Sequence, residues 1–361
     1  MNALDSRHPR GVLDLAPDPA QALRRVTGRD ATLSSQAREA LRQAAAAVGF
    51  GTDGGRLLYA HRNWVVRLSH ATAASSVIAK IHEPGTSWEA VHRQVDVATW
   101  LRRNDVMTAR PAGGGRPLAT TTGLFVTFAE DLGDGGPVSP DQLGRLLAAL
   151  HALPLPTHLA LPALDPATDP LARIGRVPEN VLASADRCWL REYVTAAAEQ
   201  LRTTPCGSDV LLHGDLNTFN TIASPAGPAL IDFENVARGP AAYDLAFQAW
   251  RWHGFGEDPD DYQRFCSSYG ADVTTLRQGA PYRVLVQFRA AIGVLIALEA
   301  AAHDRAWAVE AGYRMECLRA HAMRPLSYPW NWQTRPALTS EPGGRSTSIT
   351  PATPPDGAAG A

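Results

Sequence analysis

Apolar residues recur at helical spacing in the first half of the chain, next to residues that commonly begin or end helices. One of the serines at residues 34–35 precedes an alanine- and leucine-rich run that stops at Gly49, which predicts a capped helix. Apolar positions three to four apart predict a second helix over residues 88–101. A third helix is predicted between its cap Ser139 and His151, for which a structural role at the helix end is favoured.

Short runs of β-branched and aromatic residues between these helices predict strands. Three runs cover residues 56–60, 64–69 and 76–81. Two more cover residues 117–120 and 124–128, with turn residues between them. The N-terminal third of the chain therefore combines strands with helices.

The rest of the chain predicts mainly helices. Residues 152–180 are rich in proline and are interpreted as irregular. Residues 284–302 are nearly all apolar, which predicts a buried helix. Further helices are predicted over residues 189–201, from Asp244 through Arg251, from near Tyr262, and over residues 306–319.

Composition and charge exclude several kinds of partner. A net charge of −2 provides no field that would attract nucleic acid or an anionic membrane. No uninterrupted apolar run approaches membrane-spanning length, and the start lacks the core of a signal peptide. The 4 cysteines are widely spaced, which favours reduced thiols over a disulfide framework or a zinc site. We therefore expect a cytoplasmic protein; its oligomeric state is not indicated.

The two ends of the chain have compositions typical of disorder. Residues 1–32 are rich in proline, arginine and aspartate and lack a sustained apolar period. Residues 336–361 consist mainly of serine, threonine, proline, glycine and alanine. We predict a mobile arm and an unstructured tail.

The segment from Gly49 to Gly54 fits the pattern G-x-G-x-x-G, but its surroundings do not suit a nucleotide-binding loop. A dinucleotide-binding fingerprint follows a strand and precedes a helix, whereas this segment follows a predicted helix and precedes a predicted strand. Two predicted strands also separate it from Lys80. We interpret it as a linker.

Lys80 is the single lysine among 34 basic residues. It lies in the β-branched run 76–81, which predicts a strand. Lysine carries a compact charge on a flexible stem, whereas the arginine fork is planar and wider. A grip on a phosphate group is a setting where this difference matters. The alternative is the chance survival of one lysine codon.

Two polar clusters flank a short apolar strand predicted at residues 229–231. Asp215 in the first cluster can take a proton from a hydroxyl group. Asn220 and Asp232 offer oxygen ligands of the kind that Mg²⁺ prefers. A base beside a metal site with two protein ligands is the minimum equipment for moving the terminal phosphoryl group of ATP. An acidic hairpin with Asx turns is the alternative interpretation.

The motifs His-Gly-Asp-x4-Asn at residues 213–220 and Ile-Asp-Phe-Glu at residues 231–234 resemble the catalytic and metal-binding segments of the aminoglycoside phosphotransferase and choline kinase family. This family is a branch of the protein-kinase-like fold. The resemblance implies Asp215 as the catalytic base and Asn220 and Asp232 as magnesium ligands.

The same resemblance implies supporting roles for neighbouring residues. His213 is expected to hold the loop in place, and Glu234 to bind a second metal ion or support the first. The segment 239–246 resembles the part of the family that follows the metal site. There Asp244 is expected to brace the catalytic loop from the start of a helix, where a carboxylate can accept backbone N–H groups.

The resemblance covers about residues 56–330 and implies an α+β, bilobal protein-kinase-like fold, with a small antiparallel β-sheet N-lobe and a mainly helical C-lobe. We accordingly divide the chain into four parts. These are an N-terminal arm and helix (1–50), a nucleotide-binding N-lobe (51–132), a helical C-lobe with the catalytic loop and acceptor pocket (133–330) and a disordered tail (331–361).

In the N-lobe, the resemblance implies four residues that contact the nucleotide. Lys80 binds its phosphates from the third strand. Asn63 lies in the turn that takes the place of the glycine loop over the phosphates. Glu130 and Leu132 lie in the hinge, where backbone groups hold the adenine edge.

Kinase-like folds pair the strand lysine with a glutamate from the following helix. Here the usual glutamate position holds Gln94, which departs from the pattern. Glu89 and Asp96 are the candidate substitutes. The sequence does not decide between them.

We therefore predict an ATP-dependent, magnesium-dependent phosphotransferase that acts on a hydroxyl of a small molecule, either an aminoglycoside-like antibiotic or another hydroxylated metabolite. An acidic cluster at residues 256–261 fits either an edge that attracts a cationic acceptor or a solvated loop that caps a helix. Two other functions stay open: a kinase for serine or threonine of a peptide or protein, and a catalytically inactive binding protein with this fold. The acceptor itself is not readable from the sequence.

Overall fold

The structure is a computed structural model that describes residues 33–60, 62–69, 76–204, 207–255, 258–271 and 279–320. The predicted N-terminal arm, the C-terminal tail and the first two residues of the acidic cluster lie outside the described residues. The fold is α+β, with an antiparallel sheet in the N-terminal part and a mainly helical C-terminal part. The predicted fold class is confirmed, whereas the division of the chain into domains stays a prediction.

Five antiparallel strands form the N-terminal sheet: β1 (Arg56–Ala60), β2 (Trp64–Ser69), β3 (Ser76–Ile81), β4 (Leu118–Ala119) and β5 (Phe125–Glu130). Their order across the sheet is β1-β2-β3-β5-β4. Alternate residues of β3, from Val77 to Ile81, are buried on one face of the sheet. Because side chains alternate along a strand, Lys80 belongs to the opposite face, where it is paired with Val65 and Thr127 of the flanking strands.

Helix α1 (Ser35–Val48) covers the buried face of this sheet. Its cap is Ser34, whose hydroxyl accepts the N–H of Ala37 at 3.0 Å, and Gly49 ends it in the left-handed conformation. The buried side chains of α1 are one leucine and four alanines, which let the helix approach β3 and β5 closely. Both predicted ends of this helix are confirmed, and the Gly49–Gly54 segment is the linker to β1.

Helix α2 (Trp88–Arg103) packs against β5 and runs beside Lys80. Ser87 caps it by accepting the N–H of Ala90 at 3.1 Å. The predicted apolar face is buried at Val91, Val95 and Leu101.

The start of the segment between the two lobes is held by the N-terminal sheet. Arg67 of β2 donates to Asp131 at 3.0 Å and to Asp134 at 2.8 Å. Ser76 of β3 also donates to Asp131. Residues 131–134 are thus tied to the sheet by side-chain hydrogen bonds.

The next two residues of this segment are held by the helical lobe instead. Gly135 lies so close to the strand at Ala223 that a Cβ atom on it would come within 2.1 Å of the Ala223 carbonyl oxygen. Ala223 N–H donates to the carbonyl of Gly136 at 3.1 Å. The attachment of the chain therefore changes from one lobe to the other between Asp134 and Gly135.

The helical lobe surrounds two short strand pairs that carry the polar clusters. The helices are α3 (Pro140–His151), α4 (Thr168–Arg176), α5 (Ser184–Thr203), α6 (Ala242–Phe255), α7 (Pro259–Tyr269), α8 (Ala280–His303) and α9 (Ala308–Arg319). Helix α3 packs closely on α7 at Gly144, where a Cβ atom would meet the Phe265 carbonyl oxygen at 2.4 Å. Helix α8 lies at the centre and contacts α5, α6 and α9. The strand pairs are β6 (Asp209–Leu212) with β9 (Ala237–Pro240) and β7 (Thr221–Ser224) with β8 (Gly227–Leu230).

The structure corrects one prediction in this lobe and extends two others. Helix α4 lies inside the region interpreted as irregular; it is only nine residues long and buries two, so its apolar period is too short to recognise. Helix α5 begins at Ser184, five residues before its prediction. Helix α7 begins at Pro259, capped by Asp258, rather than near Tyr262.

Helix α8 is long and apolar enough, by length and composition, to cross a membrane. Its most apolar window within Tyr282–His303 has a mean hydropathy of 1.8, and 67% of that window is buried in the helical lobe. Such burial is typical of the core helix of a folded lobe. It is the one helix of this kind in the described part of the chain.

Candidate active site

The two polar clusters meet where the β7–β8 hairpin joins its neighbours. The first follows β6 and ends in a single 3₁₀ turn, Thr218–Asn220. Asn217 shapes this turn, because its side-chain oxygen accepts the N–H groups of Phe219 at 2.8 Å and Asn220 at 3.1 Å. The second cluster follows β8, and Ile231 N–H donates to the carbonyl of Asn220 at 3.0 Å. This bond places Asp232 beside the end of the first cluster.

Asp215 and Asn220 are in direct contact. The Asn220 amide nitrogen donates to the Asp215 carbonyl at 2.8 Å and to its carboxylate at 3.1 Å. The amide oxygen of Asn220 is therefore turned away from Asp215. Burial raises the pKa of the Asp215 carboxyl, and the opposing charges of Arg289 and His213 offset only part of that rise.

Gly214 is fixed as glycine by its surroundings. Its φ of +83° is in the left-handed region, and a Cβ atom on it would lie 2.0 Å from the carbonyl oxygen of Asn235. The loop can therefore reach this depth, with Asp215 as its next residue, only because the side chain is absent.

Asp244 contacts the loop from the other side. The fully buried carboxylate accepts the backbone N–H of His213 at 2.7 Å and that of Gly214 at 2.9 Å. His151, at the end of α3, lies 3.2 Å from the same carboxylate and 3.0 Å from the hydroxyl of Tyr269. These contacts give His151 a structural setting.

Burial alone would raise the pKa of Asp244, but the hydrogen bond and charge of His151, with the charges of His213 and Arg289, outweigh burial and lower it. A carboxyl whose pKa is lower in the folded state stabilises the fold above its unfolded pKa, about 3.9. That contribution is lost as the pH falls through the lower, folded pKa.

We expect Asp244→Asn to lower the free energy of unfolding at pH 7 by about 2–4 kcal/mol, since an ionised acceptor of buried N–H groups is removed. The difference from the parent should shrink as the pH is lowered from 4 towards 2, which urea unfolding at each pH would measure. A difference that stays constant over this range would contradict the role of the ionised carboxylate.

Lys80 reaches across from the N-terminal sheet to the second cluster. Its ammonium nitrogen lies 2.8 Å from the Asp232 carboxylate and 2.6 Å from that of Glu234. Burial would lower the pKa of Lys80, but these two carboxylates outweigh burial and raise it. Gln94 is the helix residue that faces Lys80, with its side-chain oxygen 3.5 Å away. In the part of the chain that the structure describes, neither of the two candidates, Glu89 and Asp96, has a hydrogen bond or ion pair to Lys80.

Asp232 has a backbone conformation that few non-glycine residues adopt, with φ at +64°. Aspartate tolerates the left-handed region better than most residues, because its short polar side chain can bond locally. Strained backbone of this kind clusters at functional sites. In this conformation the Asp232 carboxylate is partly exposed to solvent and forms an ion pair with Lys80.

Asn63 lies near the site, but its side chain is used by the protein itself. Its amide nitrogen donates to Glu234, and its amide oxygen accepts the N–H of Glu83 at 3.0 Å. Asn63 thus links the β1–β2 turn to the second cluster. Its predicted contact with nucleotide phosphates stays a prediction.

Glu130 is the last residue of β5, and Leu132 lies in the segment that leads from the sheet to the helical part of the chain. The backbone N–H of Glu130 donates to the carbonyl of Arg110 at 2.8 Å, so this donor is occupied. Its side chain accepts the N–H of Arg110 at 3.0 Å. Leu132 follows β5 and is half-buried. The adenine contact of these two backbones stays a prediction.

Arg289 also lies at the site, although the sequence analysis did not identify it as a site residue. It is a buried cation of α8, 4% exposed, and it donates to the carbonyl of Gly214 at 2.9 Å. Its one signal is a charged side chain near the middle of a run that is nearly all apolar and that predicts a buried core helix.

Comparison with known proteins gives one match in sequence and many in structure. The sequence profile of a phosphotransferase enzyme family, APH, matches residues 58–282. No curated protein matches the chain in sequence.

Three similar solved structures cover most of this chain. An amicoumacin kinase, hAmiN, solved with AMP-PNP, Ca²⁺ and Ami, is 15% identical over 80% of this chain and 94% of its own, with a TM-score of 0.61. A microcompartment-associated aminopropanol kinase is 18% identical over 79% and 98%, with a TM-score of 0.58. The choline kinase LicA of Streptococcus pneumoniae is 16% identical over 78% and 97%, with a TM-score of 0.54. At these identities the likeness shows a common fold.

Proposed function

Since the chain belongs to the APH phosphotransferase enzyme family, we propose that it transfers the γ-phosphoryl group of Mg-ATP to a hydroxyl group of a small molecule. Phosphoryl transfer to an alcohol is the reaction of this kind of enzyme. One observation carries the assignment of the site: Lys80 Nζ lies 2.8 Å from Asp232 and 2.6 Å from Glu234, although 152 and 154 residues separate them along the chain. A cation and two carboxylates from different lobes meet at the edge of the loop that carries Asp215.

In this proposal the residues act by position and charge. Asp215 accepts the proton of the acceptor hydroxyl and orients that hydroxyl towards the phosphoryl group. Its raised pKa brings the carboxyl closer to the working pH, which improves a general base as long as the group stays ionised. Lys80 turns from the carboxylates to the phosphates when nucleotide is bound. Little covalent chemistry is left to the protein, so most of the rate comes from positioning and charge stabilisation.

Asn220, Asp232 and Glu234 fit a magnesium site of the kind built around a nucleotide. Asn220 offers an amide oxygen, and Asp232 and Glu234 each offer a carboxylate. The side-chain nitrogen of Asn220 faces Asp215, so its oxygen is directed away from Asp215 and can serve as a metal ligand. In the described residues, no three histidine, cysteine, aspartate or glutamate side chains form a complete metal cage. Mg²⁺ does not need one, because it takes one or two carboxylates and completes its octahedron with phosphates and water. When bound, the ion neutralises charge on the phosphates.

The acceptor class is the finer part of the proposal. The similar structures include kinases named for amicoumacin, aminopropanol and choline, which supports small-molecule alcohols, including antibiotics, as candidates. The described cysteines Cys188, Cys266 and Cys317 are free, which supports a reducing, cytoplasmic setting.

ADP release from Mg-ATP, screened over spectinomycin, kanamycin, choline, ethanolamine and aminopropanol, tests the function. We expect at least one acceptor to raise the rate at least about tenfold over water, since a bound hydroxyl in line with the phosphoryl group has a high effective concentration. Mass spectrometry should find the phosphate on that small molecule. Phosphate on a polypeptide would favour a peptide kinase instead, and a lack of ADP release with every acceptor would favour an inactive binding protein.

A further inference from the structure

Arg289 is a buried cation in the central helix of the helical lobe. Its guanidinium lies 4.3 Å from the centre of the Tyr243 ring and 5.2 Å from that of Phe247, both in α6. Its Nη2 atom donates to the carbonyl of Gly214 at 2.9 Å. The cation is thus held between two aromatic rings and the backbone of the catalytic loop.

A buried guanidinium usually has a carboxylate partner, because burying a charge without one is costly. Arg289 has no ion pair to a carboxylate in the described residues, and its Nε atom has no hydrogen-bond partner there. Arg314, another buried arginine of this lobe, does pair with a carboxylate, that of Glu310 at 2.8 Å. An ion pair within the core therefore does not account for Arg289.

The position of the accepting carbonyl indicates a role. The carbonyl of Gly214 belongs to the peptide group that also contains the N–H of Asp215, so holding this carbonyl holds the peptide plane in which the Cα atom of Asp215 lies. Asp244 accepts the N–H groups of His213 and Gly214, but it makes no hydrogen bond to the peptide group between Gly214 and Asp215. Gly214 has no side chain to restrict its own torsions.

We propose that Arg289 is a positioning residue for the phosphoryl transfer: by binding the Gly214 carbonyl it sets the direction of the Asp215 carboxylate. The claim about turnover rests on the proposed function. The claim that Arg289 orders the loop does not depend on which reaction takes place at this site.

Arg289→Met and Arg289→Lys test the proposal. Methionine keeps most of the volume but removes the charge and the hydrogen bond, whereas lysine keeps the charge and one donor. The matched control is the double variant Glu310→Met and Arg314→Met, which removes the other buried arginine together with its partner, away from the loop. Urea unfolding of all variants shows that each is folded under the conditions of the assay.

Two measurements are made on the folded variants. For Arg289→Met we expect kcat to fall about 10- to 100-fold, the scale of a misplacement of about 1 Å, with the KM for ATP unchanged within about twofold. Arg289→Lys should recover part of kcat. Amide hydrogen exchange of a peptide covering residues 211–217 should become faster in Arg289→Met and stay at the parent rate in the control.

The proposal is overturned if Arg289→Met exchanges the loop amides at the parent rate. It is also overturned if its kcat stays within about twofold of the parent, or if the control loses as much kcat as Arg289→Met does. If the parent protein releases no ADP, either with an acceptor or with water alone, the proposed function fails. The hydrogen-exchange measurement then still decides whether Arg289 orders the loop.

Discussion

Asp215→Asn is expected to lower kcat by about two to four orders of magnitude, the usual scale for removing a positioned base. Asparagine has the same shape and keeps an oxygen that can accept the 3.1 Å hydrogen bond from Asn220, so the loop should stay in place. The KM for ATP should change little, because Lys80 and the second cluster are untouched. Steady-state ADP release with the best acceptor of the screen measures both constants.

Asp209→Asn is the matched control for this substitution. Asp209 is an exposed carboxylate at the start of β6, 3.9 Å from Arg238, and loses the same charge when replaced. We expect its kcat to stay within about twofold of the parent, as for most surface substitutions. Turnover of Asp215→Asn close to that of Asp209→Asn would remove Asp215 from the mechanism.

Gly214→Ala is expected to destabilise the protein by about 3 kcal/mol or more and to reduce the kcat of the remaining folded protein by about 100-fold. A left-handed alanine costs about 1–2 kcal/mol by itself. The new Cβ atom would also lie 2.0 Å from the Asn235 carbonyl oxygen, and a backbone atom cannot move aside like the end of a flexible side chain. The displaced loop would carry Asp215 with it, away from the acceptor. Urea unfolding and ADP release measure the two effects.

Gly123→Ala separates the two costs. Gly123 has a similar φ of +80° in the turn before β5, but no atom lies within 4 Å of the position of its Cβ. We expect a loss of about 1–2 kcal/mol and no effect on kcat. If Gly214→Ala costs no more than Gly123→Ala, the loop does not pass as close to Asn235 as the structure has it.

The sequence predicted the parts of the fold whose signals are local. Ser34 begins helix α1 with its side-chain hydroxyl and Gly49 ends it with its backbone N–H, each through hydrogen bonds to backbone groups within one turn, so their residue types alone indicate both ends. The short helix α4 was not predicted, because its local signals are weak. Its first turn is organised by Asp165, which accepts the N–H groups of Ala167 and Thr168, and this turn precedes too few apolar positions to show a period.

The polar clusters of the site were also recognisable, because residues 213–220 and 231–234 flank one hairpin and so must meet. Lys80 was singled out because it is the single lysine of the chain and because of the family resemblance, and in the structure it contacts the second cluster. What the sequence could not give is the partner of a side chain in another element. Gln94 rather than Glu89 faces Lys80 because of how α2 is rotated against the sheet, and the direction of Arg289 depends on how α8 packs on α6.

The chain that joins the lobes has a mechanical consequence. Residues up to Asp134 are tied to the sheet through Arg67, and from Gly135 onward the chain is tied to β7. At this crossing the chain between the two attachments is therefore about one peptide unit long. Residues 107–112 make a second link, since Leu230 N–H donates to the carbonyl of Met107 at 2.9 Å and Ala112 N–H donates to that of Phe128 at 2.8 Å. The sheet that carries Lys80 is therefore held to the hairpin at two places rather than by a single flexible joint.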